Sequence, residues 1–281
     1  MENVFSIEKL DPAECVLALD LDGTLTNSKK EITHGVKTAL WKFADCGGKI
    51  ILASGRPTYG IVPVARELEL EKKGGYILSY NGGCVTDCMT GEIVYQSPLP
   101  DKSVPVLASQ AKEYDVNILT YQDEFIITED PEEQYCQKES WINHMKIKKV
   151  DRFAEYVDFP VIKCLMTGDG EYLQNIEEKM KAYWRDDLSI CRSEPYFLEV
   201  TAKDIDKAKT LDKILASIGK SRSKLIACGD GFNDMSMISY AGIGVAMANA
   251  SLAVKDLADY IAPSNDEDGI VDVVSQLFKY R

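Results

Sequence analysis

The chain has 281 residues, 45% of them hydrophobic and 27% charged, the balance of a folded globular protein with room for one large core or two ordinary ones. Its 45 acidic side chains against 32 basic ones give a net charge of −13, which disfavours nucleic-acid backbones and anionic membrane surfaces as partners. An acidic chain can still act on an anionic substrate when a bound cation supplies positive charge locally. The eight cysteines are scattered, only Cys84 and Cys88 lying close together, and several fall in apolar runs where a thiol packs as a small hydrophobe. With only His34 and His144 beside them, zinc spacing is absent. No basic segment followed by an apolar stretch opens the chain, and no apolar run is long enough to span a bilayer, so a cytoplasmic protein is expected.

In chain order, residues 15–19 read as a buried strand, 33–46 as a helix stopped by Gly47-Gly48, and 49–53 as a second strand. A second helix, with Pro63 inside it, leads to a third strand at 76–79. This alternation predicts βαβ units and a parallel sheet. The rhythm then changes. Short strands at 93–95, 118–121, 125–128 and 162–167 mix with helical stretches at 104–114, 133–145 and 172–184. After residue 200 the first pattern returns, with helices at 207–218, 233–241, 251–257 and 270–278 and strands at 225–228 and 243–247. The expected fold is therefore α/β: a Rossmann-like parallel-sheet core formed by residues 1–83 and 196–281, with an α+β domain inserted at 84–195.

Chemistry-bearing residues gather at the predicted strand ends. The first strand runs into Asp20-Leu21-Asp22-Gly23-Thr24. In open α/β sheets that is where ligands bind, and two carboxylates followed by a turn glycine suit metal-assisted chemistry on an anion. The second strand ends Ser54-Gly55-Arg56-Pro57 at the entrance to a helix, where a hydroxyl and backbone N–H groups favour an anion. The third is followed by Asn81-Gly82-Gly83, by default a turn. The strand at 225–228 ends Gly229-Asp230-Gly231-Phe232-Asn233-Asp234, whose carboxylates suit Mg2+. Lys207 stands just before a helix. Each feature alone has an ordinary structural reading as turn, cap or solvated charge; a shared site explains them together.

These residues resemble the haloacid dehalogenase superfamily of aspartate-nucleophile phosphotransferases, and within it the Cof-type phosphatases of subclass IIB, which carry a large α+β cap. Asp20-Leu21-Asp22-Gly23-Thr24-Leu25 is similar to the family's first motif, Ser54 to the second, Lys207 to the third, and Asp230 with Asn233-Asp234 to the fourth. Ser79-Tyr80-Asn81-Gly82-Gly83 resembles the signature preceding this cap type, and Asp268-Gly269-Ile270 the subfamily's C-terminal ending. Ala208 departs from the pattern, standing where the family usually has Gly.

The resemblance implies a Mg2+-dependent phosphatase for a small phosphorylated metabolite, with a sugar phosphate favoured and flavin mononucleotide or pyridoxal phosphate as alternatives. It implies Asp20 as nucleophile and Asp22 as general acid and base, with Asp20, the Asp22 carbonyl, Asp230 and Asp234 serving the metal. Gly23, Thr24, Ser54, Gly55, Asn233 and Lys207 would surround the phosphoryl group. Arg56, Asn81, Gly82 and, in the cap, Lys163 would face the substrate. Lys163 alone reads more simply as a surface charge. A sugar phosphomutase of the same superfamily and a non-catalytic regulatory protein are the rival readings. The sequence sets no oligomeric state.

Overall fold

The computed structural model describes residues 9–280, which divide into two compact units. The first holds the chain up to Gly55, Val62–Val94 and the segment from Asp206 onward; the second holds Arg56–Ile61 and Tyr95–Ile205. The chain enters through β1 (Val16–Leu19), β2 (Lys49–Ala53), β3 (Gly75–Ser79), β4 (Cys84–Asp87) and β5 (Ile93–Gln96). It continues with β6 (Asn117–Gln122), β7 (Phe125–Thr128), β8 (Lys146–Lys149), β9 (Lys163–Thr167), β10 (Leu188–Glu194) and β11 (Phe197–Ala202). It closes with β12 (Leu225–Gly229), β13 (Ile243–Met247) and β14 (Tyr260–Ala262).

The first unit is an eight-stranded sheet in the order β14-β13-β12-β1-β2-β3-β4-β5. Strands from β14 to β3 run parallel. Their residues are buried without alternation, as in β1, β12 and β13, because helices cover both faces of a parallel sheet. β1 lies between β2 and β12, so the direction of strand addition reverses beside it. This is the topological switch point, where α/β sheets bind ligands. Register sharpens the point: Leu19 pairs with both Leu52 and Cys228, which brings the three following segments to one edge.

The expected domain boundaries are displaced in the structure. Tyr80, Asn81 and Gly82 all have positive φ, so the chain reverses at once after Ser79 and β4 returns antiparallel along β3, with Ser79 opposite Cys84. The hairpin of β4 and β5 therefore pairs into the core sheet, and the long segment of the second unit starts at Tyr95, inside β5, rather than at Cys84. At the other end, β11 pairs with β9 and β10, which carries the second unit to Ile205 rather than Pro195.

The second unit is a six-stranded sheet in the order β10-β11-β9-β6-β7-β8. Its pairs are antiparallel except β7 with β8. Leu107, Phe153, Leu173 and Met180 pack with Met166 and Leu198 in one apolar cluster, while Cys136 joins Leu119, Ile126 and Leu165 in another. The exposed edge strand β8, Lys146-Ile147-Lys148-Lys149, carries the charges that discourage pairing with another chain. Among the described residues no helix is long and apolar enough to cross a membrane.

Candidate active site

Asp20 follows the last residue of β1, and its N–H donates to the Cys228 carbonyl at 3.0 Å. The loop beyond is tight: the N–H groups of Leu25 and Thr26 both donate to the Leu21 carbonyl, at 3.1 and 2.9 Å. At its crest Gly23 has φ +87°, and a Cβ added there would stand 2.3 Å from Asp230 Oδ2. Only glycine combines that backbone with that approach.

Lys207 opens the helix Lys207–Ser217, which Asp206 caps by accepting the Lys209 N–H. It is only 1% exposed. Its ammonium donates to Asp20 Oδ1 at 2.7 Å, Asp234 Oδ1 at 2.6 Å and the Ala53 carbonyl at 2.8 Å, so all three of its protons are used. The lysine thus joins the ends of β1 and β2 to the turn after β12. Burial alone would lower its pKa, but the two carboxylates outweigh burial and hold it above the ordinary lysine value. Ala208, the departure from the family pattern, is buried in the first turn of the same helix.

The turn after β12 is organised by Asp234, which is fully buried. Its Oδ2 accepts the N–H groups of Asp230 and Gly231 at 3.0 and 2.8 Å. Asp230 Oδ1 accepts the Thr24 hydroxyl at 2.7 Å. Asn233 Nδ2 donates to Asn81 Oδ1 at 3.0 Å, and the Asn81 N–H donates to the Ser54 carbonyl at 2.9 Å. Ser54 is buried, its N–H donating to the Leu78 carbonyl at 2.9 Å. The Gly82 carbonyl accepts the Thr210 hydroxyl at 2.9 Å, which ties the turn after β3 to the lysine-bearing helix.

Oxygens of Asp20, Asp230 and Asp234 lie within 4.8 Å of one another. Burial raises the Asp20 pKa to about 7; Lys207 opposes the rise, while Asp234 and Asp230 add to it. Asp230 is likewise raised, chiefly by burial. Three carboxylates thus face a single ammonium, that of Lys207. Among the described residues no donor reaches Asp20 Oδ2, and Asp230 Oδ2 meets only the Asn249 amide at 3.4 Å. An all-oxygen set with unengaged lone pairs and more carboxylates than ammonium groups fits a hard divalent cation such as Mg2+.

The structure thus gathers Asp20, Gly23, Thr24, Ser54, Asn81, Gly82, Lys207, Asp230, Asn233 and Asp234 in one unit. The Asp22 carboxylate stands outside the cluster, paired with Lys30 at 2.7 Å and about one-third exposed. Arg56 and Lys163 belong to the second unit. Lys163 is 3% exposed and bonded to Glu199 at 2.9 Å. The surface-charge reading of this lysine is therefore corrected: β9 is a central strand, and a charge on it has to be paired. Sequence reasoning missed the Ala53 carbonyl and Asn249. A backbone acceptor carries no residue signal, and Asn249 sits in the ordinary-looking run Ala248-Asn249-Ala250.

A parallel α/β sheet whose strand ends collect three carboxylates around a buried lysine is the framework of an enzyme with a cation-accepting site. A sequence profile described as haloacid dehalogenase-like hydrolase matches residues 17–274, and the chain belongs to that family of hydrolases. It is similar to a haloacid dehalogenase-like hydrolase from Bacteroides thetaiotaomicron at 45% identity and TM-score 0.91, covering 94% of this chain and 99% of that one. The subclass IIB sugar phosphatase BT4131 matches at 28% identity and TM-score 0.76, covering 93% and 98%. The pyridoxal phosphate phosphatase YbhA of Escherichia coli is 26% identical over 276 residues, covering 92% of this chain and 97% of the relative. The expected superfamily and subclass hold.

Proposed function

We propose that this hydrolase is a Mg2+-dependent phosphatase of small phosphomonoesters, sugar phosphates foremost, working through an aspartyl-phosphate on Asp20. The observation that carries the proposal is the pairing of Asp20 Oδ1 with buried Lys207 while, among the described residues, Oδ2 accepts no hydrogen bond. One oxygen fixes the carboxylate, and the other remains available as a nucleophile.

Asp20, the Asp22 carbonyl and Asp230 would hold the metal, with Asp234 beside them. When bound, Mg2+ supplies positive charge that lowers the repulsion between a carboxylate and a phosphoryl dianion. Asp20 Oδ2 attacks phosphorus, and the bond from phosphorus to the leaving oxygen breaks. Asp22, once it carries a proton and has released Lys30, passes that proton to the leaving oxygen. Asp22 then takes a proton from water, and the resulting hydroxide attacks phosphorus, freeing inorganic phosphate and the Asp20 carboxylate. Ser54, the Gly55 N–H and Asn233 bind phosphoryl oxygens. Lys207 stays with Asp20 and Asp234 throughout, balancing charge.

The substrate class draws on relatives that are phosphatases of a sugar phosphate and of pyridoxal phosphate, both compact monoesters. The test is phosphate release from a panel of sugar phosphates, pyridoxal phosphate, flavin mononucleotide and p-nitrophenyl phosphate, with EDTA and with Mg2+ restored. Sugar phosphates should lead, and release should stop with EDTA and return with Mg2+. Turnover that survives exhaustive chelation would remove the metal from the account, and preferred cleavage of phosphodiesters would replace the substrate class.

A further inference from the structure

Asn249 lies in the loop after β13, outside every motif read from the sequence, yet its carboxamide joins three segments. Its Nδ2 donates to the Gly23 carbonyl at 2.8 Å and to Asp230 Oδ2 at 3.4 Å. Its Oδ1 accepts the Asn265 N–H at 3.2 Å, and Asn265 Nδ2 donates to the Thr26 carbonyl at 2.9 Å. Carbonyls and carboxylates can only accept and an N–H can only donate, so these bonds fix which end of the Asn249 amide is which.

Asp230 is therefore gripped from both sides. Thr24 holds Oδ1 and Asn249 meets Oδ2, and Thr24 belongs to the loop that also carries Asp20. Gly23, clamped by Asn249 through its carbonyl, lies so near Asp230 that a Cβ added there would stand 2.3 Å from Oδ2. Without the amide, two oxygen acceptors face each other there with no donor between them, and their repulsion opens the gap.

We propose that Asn249 is a positioning residue: it fixes the Asp230 carboxylate against the Asp20 loop so that both meet one divalent cation, with Asn265 as its anchor. The inference rests on the Mg2+ phosphatase reading. Asn249 is exposed, so truncation leaves no cavity in the core.

The test titrates Mg2+ into the full-length protein by calorimetry, without substrate, for wild type, N249A, N249Q, N265A and the N249A/N265A double variant. Unfolding midpoints are recorded without metal. Losing a donor to a charged acceptor should weaken Mg2+ binding about 10-fold in N249A, with the metal-free midpoint close to that of wild type. N265A should fall in the same direction by less. The double variant should match N249A, because the Asn265 side chain acts by holding, through the Thr26 carbonyl, the backbone N–H that orients the Asn249 amide, and with the amide gone nothing is left to orient. N249Q, which keeps the amide on a longer stem, should recover part of the affinity. The concentration of Mg2+ that half-activates phosphate release should rise by the same factor, while KM for the phosphomonoester moves less. N249A binding Mg2+ as tightly as a Mg2+-binding wild type overturns this inference alone, as does full additivity in the double variant. A wild type that takes up no Mg2+ overturns the metal reading as well.

Discussion

Replacing Lys207 with Met keeps the length of the side chain and removes its charge, which isolates what the ammonium does. Three hydrogen bonds of 2.6 to 2.8 Å disappear, and two buried carboxylates lose their common counter-charge. Removing one partner of a buried pair costs about 3–5 kcal/mol, because the remaining charge stays desolvated. An exposed pair is worth at most about 1 kcal/mol. The two cases are therefore separable by urea unfolding at constant m. The chain has three tryptophans, so a background with Trp141→Phe and Trp184→Phe leaves Trp41, in the helix His34–Asp45, to report on the first unit. The expected result is a loss near 4 kcal/mol, within that range, together with loss of turnover. Mg2+ should stabilise the variant more than the parent, since it can neutralise the same carboxylates. A loss below about 1 kcal/mol, the exposed-pair value, would refute the view that Lys207 is a buried charge hub.

Two further outcomes follow from the geometry. Gly23→Ala puts a Cβ where Asp230 Oδ2 lies 2.3 Å away on a backbone of φ +87°; it should cost about 1–3 kcal/mol and weaken Mg2+ binding, and a calorimetric titration identical to wild type would contradict it. In the second unit, burial would raise the Glu177 pKa, but Lys181 and Arg192, at 2.6 and 2.8 Å, bring it below the ordinary value. A lowered carboxylate pKa stabilises the fold above the ordinary glutamate range and loses that contribution as pH falls through the depressed value. Glu177→Gln should therefore be less stable than wild type near neutral pH and equal to it in strong acid; a gap independent of pH would count against the ion pair.

Five of the parallel strands were legible because both faces of such a sheet are covered: Val16–Leu19, Leu225–Gly229 and Ile243–Met247, for example, are unbroken small or apolar runs, whereas the three-residue edge strand Tyr260–Ala262 is too short to show a pattern. Their polar ends marked the site for the same reason, since Asp20 and Asp230 interrupt runs that burial would otherwise extend. What stayed hidden depended on partners distant in the chain. Cys84–Asp87 reads as the start of the insertion, and only the left-handed turn at Tyr80, Asn81 and Gly82 returns it to the core sheet. Lys146–Lys149 has the composition of a loop and becomes a strand by pairing with β7. Lys163 reads as a surface charge until Glu199 and a central strand position explain its burial. Asn249 acts through one carbonyl 226 residues away in the chain and one carboxylate 19 residues away, separations that leave no local sequence pattern.

The central claim is that Asp20 becomes covalently phosphorylated. Acid-quenching the enzyme during turnover with Mg2+ and a sugar phosphate, then digesting with trypsin, should yield a phosphoryl adduct on the peptide running from Leu10 to Lys29. Fragmentation should place it on Asp20, with both adduct and phosphate release absent in Asp20→Asn. Steady phosphate release from Asp20→Asn, or an adduct on another residue, would contradict the account.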